Sequence, residues 1–138
     1  MRQASGALAI ATSGQRLHEI TQDVLGWVAR QGIETGLITL FCRHTSASLL
    51  IQENAAPEVK DDLVAFFGRL APESADYAHD DEGPDDMPAH LKTALTQVSL
   101  SIPVVGGRPG LGTWQGLYLF EHRRRGHRRE IALHLIGE

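Results

Sequence analysis

Residues 36–70 read GLITLFCRHTSASLLIQENAAPEVKDDLVAFFGRL, and three elements can be placed within them. Gly36 to Phe41 is a short apolar run continuing into Cys42 and Arg43, with the length and composition of a largely buried strand. Ala47 to Ile51 forms a second strand. Pro57 stands where a first helical turn would start, after Asn54 as a candidate cap. Val59, Leu63, Phe66, Phe67 and Leu70 then recur at helical spacing, while Lys60, Asp61, Asp62 and Arg69 fall elsewhere on the wheel. This is the strongest helical pattern in the chain.

Working outward, Ala7 to Thr12 and Gln15 to Ile20 read as two short strands around the Ser13-Gly14 turn signal. Thr21 is placed to cap a helix through about Gln31, closed by Gly32. Residues 71–87 form a long irregular segment, and Pro88 opens a third helix with Leu91, Leu95 and Val98 on one face. Leu100 to Val105, Thr113 to His122 and Arg128 to Ile136 then read as strands, broken by Gly106-Gly107 and by an arginine-rich turn. The expectation is an α+β protein: mostly antiparallel sheets in a compact, sandwich-like single domain, 1–138, with about three helices.

Composition agrees with a globular chain, at 42% apolar and 22% charged residues. No apolar run reaches the roughly 20 residues that a spanning helix needs, so no membrane association is expected. Cys42 is the only cysteine, which rules out an intrachain disulfide and makes the cytoplasm the expected location. Seven acidic residues fall between Glu73 and Asp86, and five arginines between Arg123 and Arg129. With a pI near 5.9, the arginine turn reads as a solvated hairpin tip, and nucleic acid is not an expected partner.

Seven histidines need an explanation. His18 and His134 lie on strand-like segments and read as ordinary surface or core residues; His122 and His127 are expected to be solvated with the arginine turn. His44 opens HTSAS, where a buried strand leaves the sheet, while His79 and His90 bracket the acidic loop HDDEGPDDMPAH. Imidazole is the commonest metal ligand, and neighbouring carboxylates can fix its tautomer, so His44, His79 and His90 are candidate metal ligands with an open fourth position. No HExxH or other compact metal motif is present. The segment GGRPGLGTWQG places Thr113, Trp114 and Gln115 at a strand entrance, where they read equally well as a small-ligand seat or as a hairpin turn before a core tryptophan. Cys42, two residues from His44 on the same strand face, reads as buried packing.

HTSASLLIQEN, PEVKDDL, YAHDDEGPDDMPAH and LGTWQGLYLFEHR, with a basic terminal strand, together resemble the YjbQ-like proteins over about residues 15–138. That resemblance implies a homotrimer built on antiparallel sheets and a pocket carrying His44, His79 and His90, with a divalent metal such as Zn or Mg. It implies Glu53 and Asp86 beside those histidines as catalytic residues. Asn54, Thr113, Trp114, Gln115, Glu121 and Arg123 are implied to bind ligand, and Asp61 stands at another matching position. Many relatives carry Asn where this chain has Asp85 or Asp86, and a Phe-Asp-Gly-Pro-Arg-like run in place of HRRRGHR. The activity implied is that of a secondary thiamine-phosphate synthase, a weak transfer of an aminopyrimidine-methyl group to a thiazole phosphate. The expected function is therefore an enzyme acting on a phosphorylated small molecule, the alternative being a non-catalytic metabolite- or metal-binding protein. The apolar run LYLF is expected to offer a strand face for neighbouring subunits to cover.

Overall fold

The structure, a computed structural model, describes residues 1–138. Eight strands and three helices follow in the order β1 (Arg2–Ala11), β2 (Arg16–Glu19), α1 (Thr21–Gln31), β3 (Thr35–Cys42), β4 (Ala47–Glu53), α2 (Pro57–Leu70), α3 (Asp86–Leu95), β5 (Ser99–Val105), β6 (Arg108–Pro109), β7 (Gln115–Glu121) and β8 (Arg128–Gly137). They form a five-stranded sheet ordered β1-β8-β3-β5-β6 and a three-stranded sheet ordered β2-β7-β4. Every pairing is antiparallel. The protein is α+β, as its strand and helix patterns predict.

One core lies between the layers. Ile38, Leu40, Leu100, Ile102, Ile131 and Leu133 project from the large sheet onto Leu49, Leu117 and Leu119 of the small one, and Val24, Trp27 and Val28 of α1 close the same cluster. Alternation with period two decides which side each strand residue takes. β8 shows this most clearly, with Arg129, Ile131, Leu133 and Leu135 inward and Glu130, Ala132, His134 and Ile136 less buried between them. Trp27 rests on Gly6 of β1, where a Cβ would stand only 2.5 Å from the indole nitrogen.

Several expectations are corrected. β1 and β2 do not form a hairpin across Ser13-Gly14; β1 pairs with β8 along ten residues, while β2 crosses to the other sheet and pairs with β7. The longer pairing gives every outer β1 residue a partner that a four-residue hairpin could not. Thr21 does not cap α1; its hydroxyl donates to Glu19 and accepts the Leu117 N–H, although Gly32 does close the helix with φ 66°. Asn54 does not cap α2 either, since the Glu53 carboxylate accepts the N–H groups of Ala55 and Ala56. Helix α3 begins at Asp86, two residues before Pro88.

α2 has the clearest helical pattern, yet none of its residues is fully buried. Leu63, Val64 and Phe67 pack on Tyr118 and Phe120, while Phe66 and Leu70 stay about half exposed. LYLF is not an open face: Leu117 and Leu119 enter the main core and Tyr118 and Phe120 lie under α2, all four at 2% exposure or less. The uncovered apolar surface is instead the outer side of the five-stranded sheet, where Leu37 and Phe41 of the supposedly buried strand are 40% and 47% exposed.

Candidate functional site

The loop between α2 and α3 is folded onto the turn after β7 by one arginine. Arg123 donates from Nε to Asp85 (2.9 Å), from Nη1 to Asp86 Oδ1 (2.8 Å) and from Nη2 to the Glu82 carbonyl (2.9 Å). Arg124 adds its backbone N–H to Asp85, and its side chain pairs with Glu73. Burial works to raise the Asp85 carboxyl, but the Arg123 contacts outweigh it and hold the group below the usual carboxylate range. The arginine turn is therefore only partly solvated, which corrects the sequence expectation. Arg129 is 4% exposed, and His122 is wholly buried with its imidazole pushed down to about 3, mainly by burial.

This anchoring places Asp86 between two histidines. Asp86 Oδ2 lies 2.9 Å from His79 Nε2 and 3.2 Å from His90 Nε2, and the two rings are 5.7 Å apart. Asp86 and His90 are four residues apart on α3 and so share a face; His79 arrives from the loop. His90 Nδ1 lies 3.0 Å from the Thr45 carbonyl, which only accepts, so Nδ1 carries the hydrogen. Its Nε2 then faces a carboxylate oxygen, an arrangement that needs a proton or a metal cation between the two atoms.

The side chains fit a metal. Two imidazole nitrogens and one carboxylate oxygen lie within 4.8 Å of one another. Metal bonds of 2.0–2.2 Å in tetrahedral geometry separate ligand atoms by roughly 3.3 Å, close to the N···O distances found. The outer contacts also match, because a backbone carbonyl orients His90 and a guanidinium holds the second Asp86 oxygen. Burial works to raise the Asp86 carboxyl, but the hydrogen bond from His79 and the charges of His90 and Arg123 overcome it and hold the group low. His79 is raised above its ordinary value, chiefly by its hydrogen bond to Asp86. Glu82 Oε2 lies 3.0 Å from His79 Nε2, so a second carboxylate adjoins the group.

His44 does not join these three. Its Nε2 accepts the Glu130 N–H at 2.8 Å, which commits that nitrogen to the sheet, and burial lowers its pKa and keeps the ring neutral. It meets His90 instead across a cavity of about 660 Å³ lined by Phe41, Cys42, Thr93, Ala94 and Val98. Cys42 is packed, with its thiol raised by burial and set against the Ala47 carbonyl.

The remaining expected site residues lie elsewhere. Glu121 is fully buried, accepting from Thr12 (2.6 Å), from Arg129 Nε (2.8 Å) and from the Arg123 N–H (3.2 Å), so its oxygens face protein donors. Asn54 donates to the carbonyls of Thr113 and Gln115, Gln115 accepts the Gly112 N–H, and Trp114 is 64% exposed. These residues and Glu53 sit at the end of the β4–β7 pair where Glu53 faces Gln115; the histidine side is the end where Ala47 faces Glu121. Six residue steps of strand separate the two ends, roughly 20 Å. Arg123 holds the loop and does not line the cavity.

Sequence reasoning missed the backbone carbonyl of Thr45, the role of Asp85, and the buried chain in which His122 Nε2 meets Ser48 Oγ (2.9 Å) and Thr96 Oγ1 bonds Ser48 (2.6 Å). The signals available for the cluster were the acidic residues between His79 and His90 and the four-residue spacing of Asp86 and His90.

Fold and site thus define a small two-sheet α+β protein with a His-Asp-His group where its longest loop meets the sheet. A family model, UPF0047 protein YjbQ-like, matches residues 7–138. The chain belongs to the YjbQ/UPF0047 family. It is 54% identical over 138 residues to a UPF0047 protein of Synechocystis sp., covering 99% of this chain and 94% of that one. It is 42% identical over 132 residues to YjbQ of Escherichia coli O157:H7, covering 95% and 96%. Among solved structures, an uncharacterized conserved YjbQ/UPF0047 protein of Clostridium acetobutylicum superimposes with a TM-score of 0.88 at 31% identity, over 95% of this chain and 99% of that one. No helix is long and apolar enough to cross a membrane.

Proposed function

We propose that this chain is a cation-dependent enzyme acting on a phosphorylated small molecule, with His79, Asp86 and His90 holding the metal. One observation carries the reading: Asp86 Oδ2 lies 2.9 and 3.2 Å from two imidazole nitrogens, while the other His90 nitrogen and the other Asp86 oxygen are bound by Thr45 and Arg123. Zinc suits two nitrogens and one oxygen better than magnesium, which prefers all-oxygen ligands. A divalent metal there would supply charge to a phosphate or diphosphate leaving group. The chain's own residues would orient the ligands, Thr45 through His90 Nδ1 and Arg123 through the second Asp86 oxygen.

Transfer of an aminopyrimidine-methyl group to a thiazole phosphate is the finer reading suggested by the family resemblance. Its need for an anion seat is met by the cation site. Its need for a flat platform is not met by Trp114, which lies roughly 20 Å away along β4 in the same chain. A homotrimer is the proposed assembly, supported by exposed Ala7, Ala9, Leu37, Phe41 and Pro103 on the outer side of the large sheet. A second subunit could bring its Trp114 end toward the histidines. The proposed working form is a cytoplasmic assembly of one-domain chains, and light scattering that gives a monomer at micromolar concentration would reject it.

Glu82 favours the non-catalytic alternative. It groups with His79 and Asp81 beside the first three ligands, and a carboxylate that swung in to close the site would leave a metal stored or structural, without activating anything. Elemental analysis of purified protein tests the site itself. About one zinc per chain is expected for the wild type, with little left in His79→Ala and Asp86→Asn. Equal metal content in all three would reject the assignment. Turnover of a phosphorylated substrate by the zinc-loaded protein then separates enzyme from binder.

A further inference from the structure

The cavity between β3 and α3 is not explained by the cation group, although His90 borders both. Its volume, about 660 Å³, is that of a small-molecule site. Phe41, Cys42, Ala94 and Val98 give it an apolar lining. Most of the lining surface is apolar, and several of the polar atoms nearby are engaged elsewhere. The Cys42 thiol is directed to Ala47 O, His90 Nδ1 to Thr45 O, and Arg43 is paired with Glu130 at 2.5 Å. Thr93 Oγ1 is shielded from solvent and makes no hydrogen bond. Because His44 uses Nε2 for Glu130, its Nδ1 hydrogen is the one ring donor left on that wall.

We infer that this cavity selects an uncharged, hydrocarbon-rich group, alkyl or aryl, attached to an anionic end that reaches the His79–Asp86–His90 group. The inference rests on the proposed cation site for the anionic end only. An apolar group gains by leaving water, and it asks nothing of atoms already bonded. A group rich in donors and acceptors, such as an aminopyrimidine, would lose its water and find too few partners. The cavity therefore works against the aminopyrimidine-methyl substrate and favours a plain hydrocarbon of similar size.

Calorimetric titration of the zinc-loaded protein with phenyl phosphate, inorganic phosphate and an aminopyrimidine-methyl phosphate tests this. Phenyl phosphate is expected to bind about tenfold more tightly than either of the others. Ala94→Trp, which fills the cavity from the surface of α3, is expected to remove that advantage while leaving inorganic phosphate affinity and zinc content unchanged. An aminopyrimidine that binds as well as phenyl phosphate, or an advantage that survives Ala94→Trp, overturns the inference. If the protein takes up no zinc, the cation reading fails alone. Phenol titrated into the metal-free protein then tests the cavity, with binding in the wild type and none in Ala94→Trp expected, and equal behaviour of the two overturning it.

Discussion

Glu121→Ala should be among the most damaging single changes in this protein, and the buried ion pair says by how much. Glu121 is fully buried and Arg129 is 4% exposed, so their charges balance away from water. Four donors converge on the carboxylate: the Thr12 hydroxyl, the Arg123 N–H, and Arg129 Nε and Nη2. Burial pushes the carboxyl up, but the hydrogen bonds from Arg129 and Thr12 outweigh this and hold it ionised. Truncation leaves a guanidinium buried without its counter-charge, a loss of about 3–5 kcal/mol. For 138 residues, an unfolding entropy of about 0.3 kcal/mol/K at the midpoint converts this into a fall in Tm of roughly 10–17 °C. Scanning calorimetry at pH 7 measures it. Glu121→Met combined with Arg129→Met should recover most of the loss, because an apolar pair of similar volume leaves no lone charge. A drop of less than about 3 °C for Glu121→Ala would refute the reasoning, because it would mean that water reaches Arg129.

Three further outcomes are expected. The buried His122 is neutral, with its pKa lowered from 6.5 to about 3. Below pH 6.5 the unfolded chain binds a proton that the native state refuses, so stability falls with decreasing pH by up to about 1.4 kcal/mol per unit until about pH 3. Urea unfolding between pH 6.5 and 4.5 should show that slope in the wild type and a clearly shallower one in His122→Phe; parallel curves would remove His122 as the cause. Gly6→Ala should cost about 1–3 kcal/mol by pressing on Trp27, whereas Gly68→Ala on α2, with nothing within 4 Å, should stabilise by about 0.5–1 kcal/mol; equal denaturation midpoints would contradict both. Zinc affinity should weaken as pH drops, because protons compete for His79 and His90, and a titration flat between pH 8 and 5.5 would argue against imidazole ligands.

The fold was legible wherever burial is one-sided. β5 alternates from Ser99 to Val105, and β8 from Arg128 to Gly137, so their inner faces follow from the period alone. Pairing partners were not legible, since a strand pattern states a face and not a neighbour. Ser13-Gly14 carries a turn signal, yet whether β2 returns beside β1 depends on β8, which lies more than a hundred residues further on. LYLF was misjudged for a related reason: both of its faces are covered, one by the large sheet and one by α2, and a continuous apolar run looks the same whether a subunit or a helix covers it.

The site was legible as chemistry and not as geometry. His79 and His90 could be selected because acidic residues surround them, and Asp86 lies one helical turn before His90 once α3 is known to start there. Nothing local marks His44 as distinct. Its exclusion follows from a backbone N–H on β8, 86 residues away, that takes the nitrogen a metal would need. The arginine turn was misread because charge density was taken as exposure. Arg123 instead spends its donors on Asp85, Asp86 and the Glu82 carbonyl. Without that pairing the seven acidic residues from Glu73 to Asp86 would repel each other and leave the Asp86 side chain free to rotate. Arg123→Lys keeps the charge but gives up the forked geometry. It should therefore lower zinc affinity by roughly 10–100-fold, the range for losing an outer-shell partner, while Tm changes little. Zinc titration beside a thermal melt separates the two effects, and unchanged affinity would show that α3 alone holds Asp86 in place.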